Sequence, residues 1–127
     1  MLEFVRVYEA GAEKYFPSGG YEKELLNSYS AGVDALKKLV IDPPLIVLVT
    51  LANAKGYRLG IGSIAHPFTS EPIPFDRDVM LIPDVQVESL DRRDIDVLRP
   101  ILDIIWNAGG YERSLHFDEN NNRKQPR

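Results

Sequence analysis

The side-chain types of a hydrolase triad occur close together near the C-terminal end of the sequence. Ser114, His116 and Asp118 alternate in the segment Ser-Leu-His-Phe-Asp. A spacing of two places the three on one face of a strand, but a triad also needs a hydrogen-bond relay between them. No G-x-S-x-G elbow surrounds Ser114, and a polar tail is a poor support for a site. A small hydrolase or nucleotide-processing enzyme that uses the Ser114/His116 region therefore remains an alternative interpretation.

The same tail resembles the opening of a calcium-binding loop. Asp118, Asn120 and Asn122 follow the D-x-N-x-N spacing, but Arg123 stands where such a loop has its glycine. The sequence has no cysteine and only two histidines, His66 and His116. Thiolate and histidine-rich sites are therefore excluded. We predict no metal site.

Three glycines raise the question of a phosphate-binding loop. Gly56, Gly60 and Gly62 give the order G-x-x-x-G-x-G, which differs from G-x-G-x-x-G, and Lys55 precedes them instead of following. The glycines are better explained by a turn and an irregular strand. We therefore predict neither a catalytic residue nor a cofactor.

A cluster of aromatic residues and an arginine surrounds the end of the last predicted helix. Aromatic residues and arginine are enriched at the energetic centres of protein–protein interfaces. The predicted contact residues are Trp106, Tyr111, Arg113 and Phe117. They are also ordinary core residue types. A surface for a protein partner or for self-association is the functional feature that the sequence favours most.

Hydrophobic periodicity predicts the elements that position these residues. Helices are expected over residues 21–40 and 91–108, with Pro100 at the first position of the main part of the second helix. Strands are expected over residues 2–10, 45–52, 57–61 and 78–89. The nearly continuous apolar run over residues 45–52 suits a strand that is buried on both faces. A loop over residues 11–20 separates the first strand from the first helix. The strands over 45–52 and 57–61 are expected to form a hairpin, and Pro83 indicates an edge strand or a bulge.

This order predicts an α+β fold with two layers. Two amphipathic helices cover one mainly antiparallel sheet of about four strands. Residues 1–117 are expected to form a single domain, which suits a chain of 127 residues and 14.4 kDa. Residues 118–127 contain no hydrophobic residue. We expect that segment to be a disordered polar tail.

Charge and composition limit the possible partners. The formal net charge is -4, and residues 76–103 hold eight acidic and four basic residues. No basic run exceeds two residues, so this domain is not expected to bind nucleic acid directly. The longest apolar run, residues 45–52, is too short to cross a bilayer, and no signal peptide is recognisable. We expect a cytoplasmic protein without membrane contact.

Short segments distributed over residues 21–118 resemble a bacterial family. The matching pieces are Tyr21-Glu22, Pro43-Pro44 before an apolar strand, Gly56-Tyr57-Arg58-Leu59, Pro74 with Asp76 and Asp78, Leu98-Arg99-Pro100, Asp103, Trp106-Asn107-Ala108-Gly109, Ser114 and Asp118. Together they resemble the C-terminal region of bacterial proteins with an N-terminal Schlafen-type, AlbA-like ATP- or DNA-binding domain. The nucleotide-associated elements of that N-terminal half do not occur in this sequence, so no ATP-binding residue is carried over.

The resemblance implies the accessory part of a larger regulator. Together with the aromatic cluster, it favours a non-catalytic interaction or sensor module. A nucleic-acid-associated regulator that acts through a separate N-terminal domain is a further alternative.

Overall fold

The computed structural model describes residues 8–10, 13–61 and 72–124. Its two helices are α1 (Ser18–Lys38) and α2 (Asp94–Ala108). Its strands are β1 (Tyr8–Ala10), β2 (Glu13–Pro17), β3 (Leu45–Val47), β4 (Thr50–Ala52), β5 (Tyr57–Gly60), β6 (Val79–Leu81) and β7 (Val85–Val87). Among these residues, no helix combines the length and apolarity needed to cross a bilayer.

Helix α1 agrees closely with the predicted helix over residues 21–40. It starts directly after Pro17, whose extended backbone ends β2. Its inward face carries Tyr21, Glu22 and Val33, which are buried. Lys37 and Lys38 occupy the last turn, where cations are favoured by the helix dipole.

Helix α2 is continuous through Pro100, so the predicted helix start at Pro100 is wrong. A proline inside a helix removes the hydrogen bond to the carbonyl four residues earlier. That carbonyl belongs to Asp96, and a guanidinium N–H of Arg92 donates to it instead, at 3.3 Å. The substitute donor helps the helix to extend from Asp94 to Ala108.

The strands over residues 45–52 and 79–87 form one antiparallel ribbon. Strand β3 pairs with β7, and β4 pairs with β6. Between the two pairings, Leu48 and Val49 stand opposite the three residues 82–84. The extra residue is a bulge at Pro83, which confirms the interruption that the sequence predicted there.

A second sheet has the strand order β1-β2-β5, and it corrects two predictions. Strand β5 pairs in parallel with β2, with Phe16 opposite Leu59, and does not form a hairpin with the preceding strand. Residues 13–17 form β2, although they were predicted to lie in a loop. The loop was predicted because glycines and a proline surround this segment, although Tyr15 and Phe16 are residue types that favour strands. Residues 2–7 of the predicted first strand lie outside the described residues.

One apolar core joins these elements. It extends from Phe16 to Phe117 and is centred on the inward face of α2. The fold is therefore a mixed α+β fold, as predicted. The single sheet of about four strands is not confirmed, because the described strands form small sheets of three, two and two strands.

Residues 118–124 form a hydrogen-bonded turn, within the segment that was expected to be a polar tail. The Asp118 carboxylate accepts backbone N–H bonds from Asn120 and Asn122. Asn121 and the Asp118 carbonyl both accept hydrogen bonds from Arg99 on α2. Hydrogen bonds thus hold a segment that has no hydrophobic side chain. Residues 125–127 lie outside the described residues.

Candidate functional site: a buried polar network

A serine and a histidine that are distant in sequence form the first contact of the network. Ser18, at the start of α1, lies with its Oγ 2.8 Å from Nε2 of His116. Ser18 is fully buried, whereas His116 is partly exposed. The junction between β2 and α1 and the C-terminal segment bring the two together.

A buried carboxylate forms the second contact. Glu22 lies one turn after Ser18 and is fully buried. Its Oε1 accepts hydrogen bonds from the indole of Trp106 and from the hydroxyl of Ser114, each at 2.7 Å. The residue therefore ties together α1, α2 and the C-terminal segment. No local sequence pattern predicted this role for Glu22.

Burial shifts the protonation equilibria of the network. Desolvation raises the pKa of Glu22, although the bonds from Ser114 and Trp106 counteract the rise. Desolvation lowers the pKa of His116 to about 4, and Arg123 adds to the effect. His116 is consequently neutral at pH 7. Burial also raises the pKa of Tyr21, and the Glu22 carboxylate increases that rise.

An arginine–aspartate pair on α2 anchors the segment that carries Ser114 and His116. Arg99 Nε donates to Asp103 Oδ1 at 2.9 Å, and the same oxygen accepts the backbone N–H of Ser114. The Arg99 side chain is largely buried in this arrangement. Asp103 thereby fixes the position at which Ser114 points towards Glu22.

The geometry does not form the hydrogen-bond relay that a triad of Ser114, His116 and Asp118 would need. The Ser114 hydroxyl donates to Glu22, and its only contact with His116 is a 3.3 Å bond from the His116 backbone N–H. Asp118 accepts backbone N–H groups of its own turn. The serine side chain that reaches the histidine ring is Ser18, which sequence reasoning did not connect with His116.

A neutral histidine beside a serine hydroxyl has the composition of a base–nucleophile pair. The buried position of Ser18 gives a substrate no direct approach in this conformation. No group of three or more His, Cys, Asp or Glu side chains suited to a metal ion occurs in the described part of the chain. The hydrogen bonds of the network mainly join α1, α2 and the C-terminal segment.

The predicted contact residues are mostly internal. Trp106 is completely buried, and Tyr111 and Phe117 also belong to the core. The rings of Trp106 and Tyr111 meet edge to face at 5.4 Å. Only Arg113 of the four has a substantially exposed side chain. The cluster thus packs the core, and a partner contact through these residues stays a prediction that rests on Arg113 in this conformation.

The surface instead exposes an apolar patch that the sequence analysis missed. The exposed side chains are Ile46 (60%), Leu48 (76%), Val79 (52%) and Leu81 (78%). Ile46 lies on β3, Leu48 lies between β3 and β4, and the other two residues lie on β6. We call this surface the ribbon face. Along residues 45–52 exposure alternates strictly, so one set of side chains points inward and the other outward.

The apolar run over residues 45–52 was predicted to be a strand buried on both faces. The exposure of its alternate side chains on the ribbon face was therefore not predicted. In the structure only one side of the ribbon packs on the core, through residues that include Leu45, Val47 and Leu51. The sequence carries a signal of this face, because an apolar run interrupted only by Thr50 is typical of a strand that is covered on both faces. The described residues cover one face only.

Comparisons with protein-family models, with curated proteins and with solved structures found no match.

Proposed function

We propose that this protein is a non-catalytic interaction module that docks on a partner through the ribbon face. The observation that carries the proposal is the outward exposure of Ile46, Leu48, Val79 and Leu81 on one ribbon. Single exposed aliphatic residues are common on protein surfaces, but a contiguous apolar patch is typical of an interaction site. The pairing of β4 with β6 places Thr50 opposite Leu81 and Ala52 opposite Val79, which adds uncharged neighbours.

Burial of the ribbon face by a partner would contribute favourable free energy to binding. Covering an exposed aliphatic side chain contributes roughly 1.5–3 kcal/mol when it is fully removed from water. Leu48 and Leu81 are the most exposed residues of the face. They are therefore the strongest candidates for the centre of a contact.

The hydrogen bonds of the buried network support a structural role for Ser114 and Glu22. The Ser114 hydroxyl and the Trp106 indole both donate to Oε1 of Glu22 inside the core, whereas Oε2 of Glu22 is buried without a hydrogen-bond partner among the described residues. A side chain used in this way is unavailable to a substrate. This arrangement favours an interaction module over an enzyme that uses Ser114 and His116.

The experiment for the docking proposal is fractionation of native extracts by size. In cells that produce the protein, the double variant Leu48→Ser/Leu81→Ser should elute as a smaller species than the unaltered protein. Leu39→Ser is the matched control, because Leu39 is an exposed leucine at the end of α1, outside the ribbon. Identical elution of all three proteins would contradict docking through the ribbon face.

We further propose that the chain is the accessory C-terminal part of a cytoplasmic bacterial regulator with an AlbA-like half. The resemblance over residues 21–118 supports this assignment. In that case any nucleic-acid binding belongs to the other half, since the chain has a net charge of -4. An immunoblot of the source cell should give a band well above 14.4 kDa. Salt-dependent DNA binding by this chain alone would contradict the division of roles.

Ester hydrolysis is the second candidate function, and the contact between Ser18 and His116 is the observation that favours it. In such an enzyme His116 would accept the proton of the Ser18 hydroxyl during attack on an acyl carbonyl. The reaction would need a movement that exposes Ser18. A fluorophosphonate probe tests it: labelling of the unaltered protein and not of Ser18→Ala would support the enzyme, and no labelling of either would remove this candidate.

A further inference from the structure

We propose that the ribbon face binds a basic amphipathic segment of a partner protein. This inference rests on the proposed docking function and adds the chemistry of the partner. Its basis is the charge distribution around the apolar patch. Residues 76–88 hold four acids, Asp76, Asp78, Asp84 and Glu88, and one base, Arg77. All four acids are exposed.

The acids lie beside the apolar side chains along the chain. Asp76 and Asp78 immediately precede β6, which carries Val79 and Leu81. Asp84 directly precedes β7 and Glu88 directly follows it. Each is two residues away from Gln86, the central residue of that strand. Gln86 is exposed and pairs with Ile46 of the ribbon face. Since strand side chains alternate between faces, Asp84 and Glu88 share the side of Gln86.

A basic partner complements this surface in two ways. Its apolar side chains cover the ribbon face, and its Lys or Arg side chains meet the acidic border. Complementary charges at a border steer association and exclude unsuitable partners more than they add affinity. On the ribbon, every second side chain points outward. An extended partner segment in which apolar and basic residues alternate has the same spacing.

A second copy of this chain fits the surface less well. An isologous contact brings the same patch of both copies together. The acidic borders of the two copies would then approach each other, and like charges in an interface are unfavourable. The described residues of the border offer Arg77 as the one base that could offset this repulsion.

Synthetic peptides test the inference with the purified chain. The first probe is a labelled ten-residue peptide of alternating Leu and Lys. The second replaces each Lys with Glu, and the third replaces each Leu with Ser. Binding is measured by fluorescence anisotropy at two salt concentrations. We expect the Leu/Lys peptide to bind at least about tenfold more tightly than either other peptide.

Variants of the chain locate the bound peptide. Leu48→Ser/Leu81→Ser should weaken binding of the Leu/Lys peptide by about tenfold or more, because apolar burial is lost. Asp84→Asn/Glu88→Gln should weaken it by about threefold and flatten its salt dependence, since border charges contribute modestly. Leu39→Ser should leave it unchanged. All substituted side chains are exposed, and circular dichroism checks that each variant is folded.

Three results would overturn the inference. The first is equal affinity for the Leu/Lys and Leu/Glu peptides, and the second is peptide binding that the ribbon variants do not alter. The third is self-association that Leu48→Ser/Leu81→Ser abolishes, because the occupant would then be a second copy. Each result leaves the docking proposal open to its own test, since the size shift in extracts does not depend on the partner being basic.

Discussion

The indole Nε1 of Trp106 donates a 2.7 Å hydrogen bond to Oε1 of Glu22, and this contact joins α2 to α1 inside the core. The same carboxylate oxygen accepts the hydroxyl of Ser114. A buried carboxylate is costly unless it is well hydrogen-bonded. The contact between Trp106 and Glu22 thus fixes where the two helices meet. In the sequence alone, Trp106 suggested an interface and Ser114 suggested an active site.

The buried carboxylate of Glu22 predicts an unusual dependence of stability on pH. Its pKa is raised from the ordinary value of 4.5, so the folded state holds the proton more tightly than the unfolded chain does. Its contribution to stability is therefore fully present below pH 4.5 and is lost as the pH rises through the raised pKa. Glu22→Gln keeps an acceptor oxygen and removes the charge.

The stability of Glu22→Gln relative to the unaltered protein should consequently increase as the pH rises above 4.5. Urea unfolding at several pH values measures this difference. Glu24→Gln is the control, because Glu24 lies on the same helix and is partly exposed. A constant difference between Glu22→Gln and the unaltered protein would show that Glu22 carries no raised pKa.

His116 predicts the opposite pH dependence. Its pKa is lowered from 6.5 to about 4 because the ring is desolvated. The folded state therefore disfavours the protonated ring. The stability linked to neutral His116 is fully present above pH 6.5 and is lost as the pH falls towards 4.

A proton NMR titration of the histidine rings measures the pKa directly. One of the two histidine resonances should titrate near pH 4 and should be missing in His116→Gln. The remaining histidine, His66, serves as an internal reference. Titration of the His116 resonance near pH 6.5 would contradict the buried contact with Ser18.

The sequence predicted features whose causes are local. The period of α1, the mixed α+β class and the interruption at Pro83 all follow from neighbouring residues. The pairing of β5 with β2 instead of β4 could not be predicted in this way, because strand pairing depends on contacts distant in sequence. The Asp96 carbonyl, which Pro100 leaves without its helical donor, accepts a hydrogen bond from the guanidinium of Arg92. Such compensation is visible only in three dimensions.

The candidate site was predictable by residue type but not by arrangement. His116 and Ser114 were identified, yet their partners Ser18 and Glu22 are 98 and 92 residues away in sequence. The aromatic cluster was interpreted as a surface, whereas Trp106 lies in the core. Aromatic residues fill cores and interfaces for the same physical reason, so composition alone does not separate the two roles.

Two glycines give a prediction about packing. A Cβ at Gly109 would lie 2.6 Å from Cδ1 of Leu59, which is fully buried, whereas a Cβ at Gly32 would have no neighbour within 4 Å. Gly109→Ala should therefore destabilise the protein by roughly 1–3 kcal/mol through overpacking. Gly32→Ala, in the middle of α1, should stabilise it by roughly 0.5–1 kcal/mol. Equal denaturation midpoints for the two variants would contradict this packing.

The ordered C-terminal turn gives a prediction about truncation. Removal of residues 118–127 deletes the Asn121 acceptor of Arg99 and the Lys124 N–H that bonds the His116 carbonyl. Loss of these partners should cost about 1–3 kcal/mol. Removal of residues 125–127 alone is the control and should leave stability unchanged. Equal urea midpoints for both truncations would mean that the turn contributes nothing.

Site-specific photo-cross-linking in living cells tests the docking proposal most directly. A photoreactive amino acid is placed at Leu48 in the ribbon face and, as a control, at Leu39. The proposal predicts one discrete cross-linked protein from position 48, which disappears when Leu81→Ser is added, and none from position 39. Absence of a discrete product at position 48, or the same product at both positions, would contradict docking through the ribbon face.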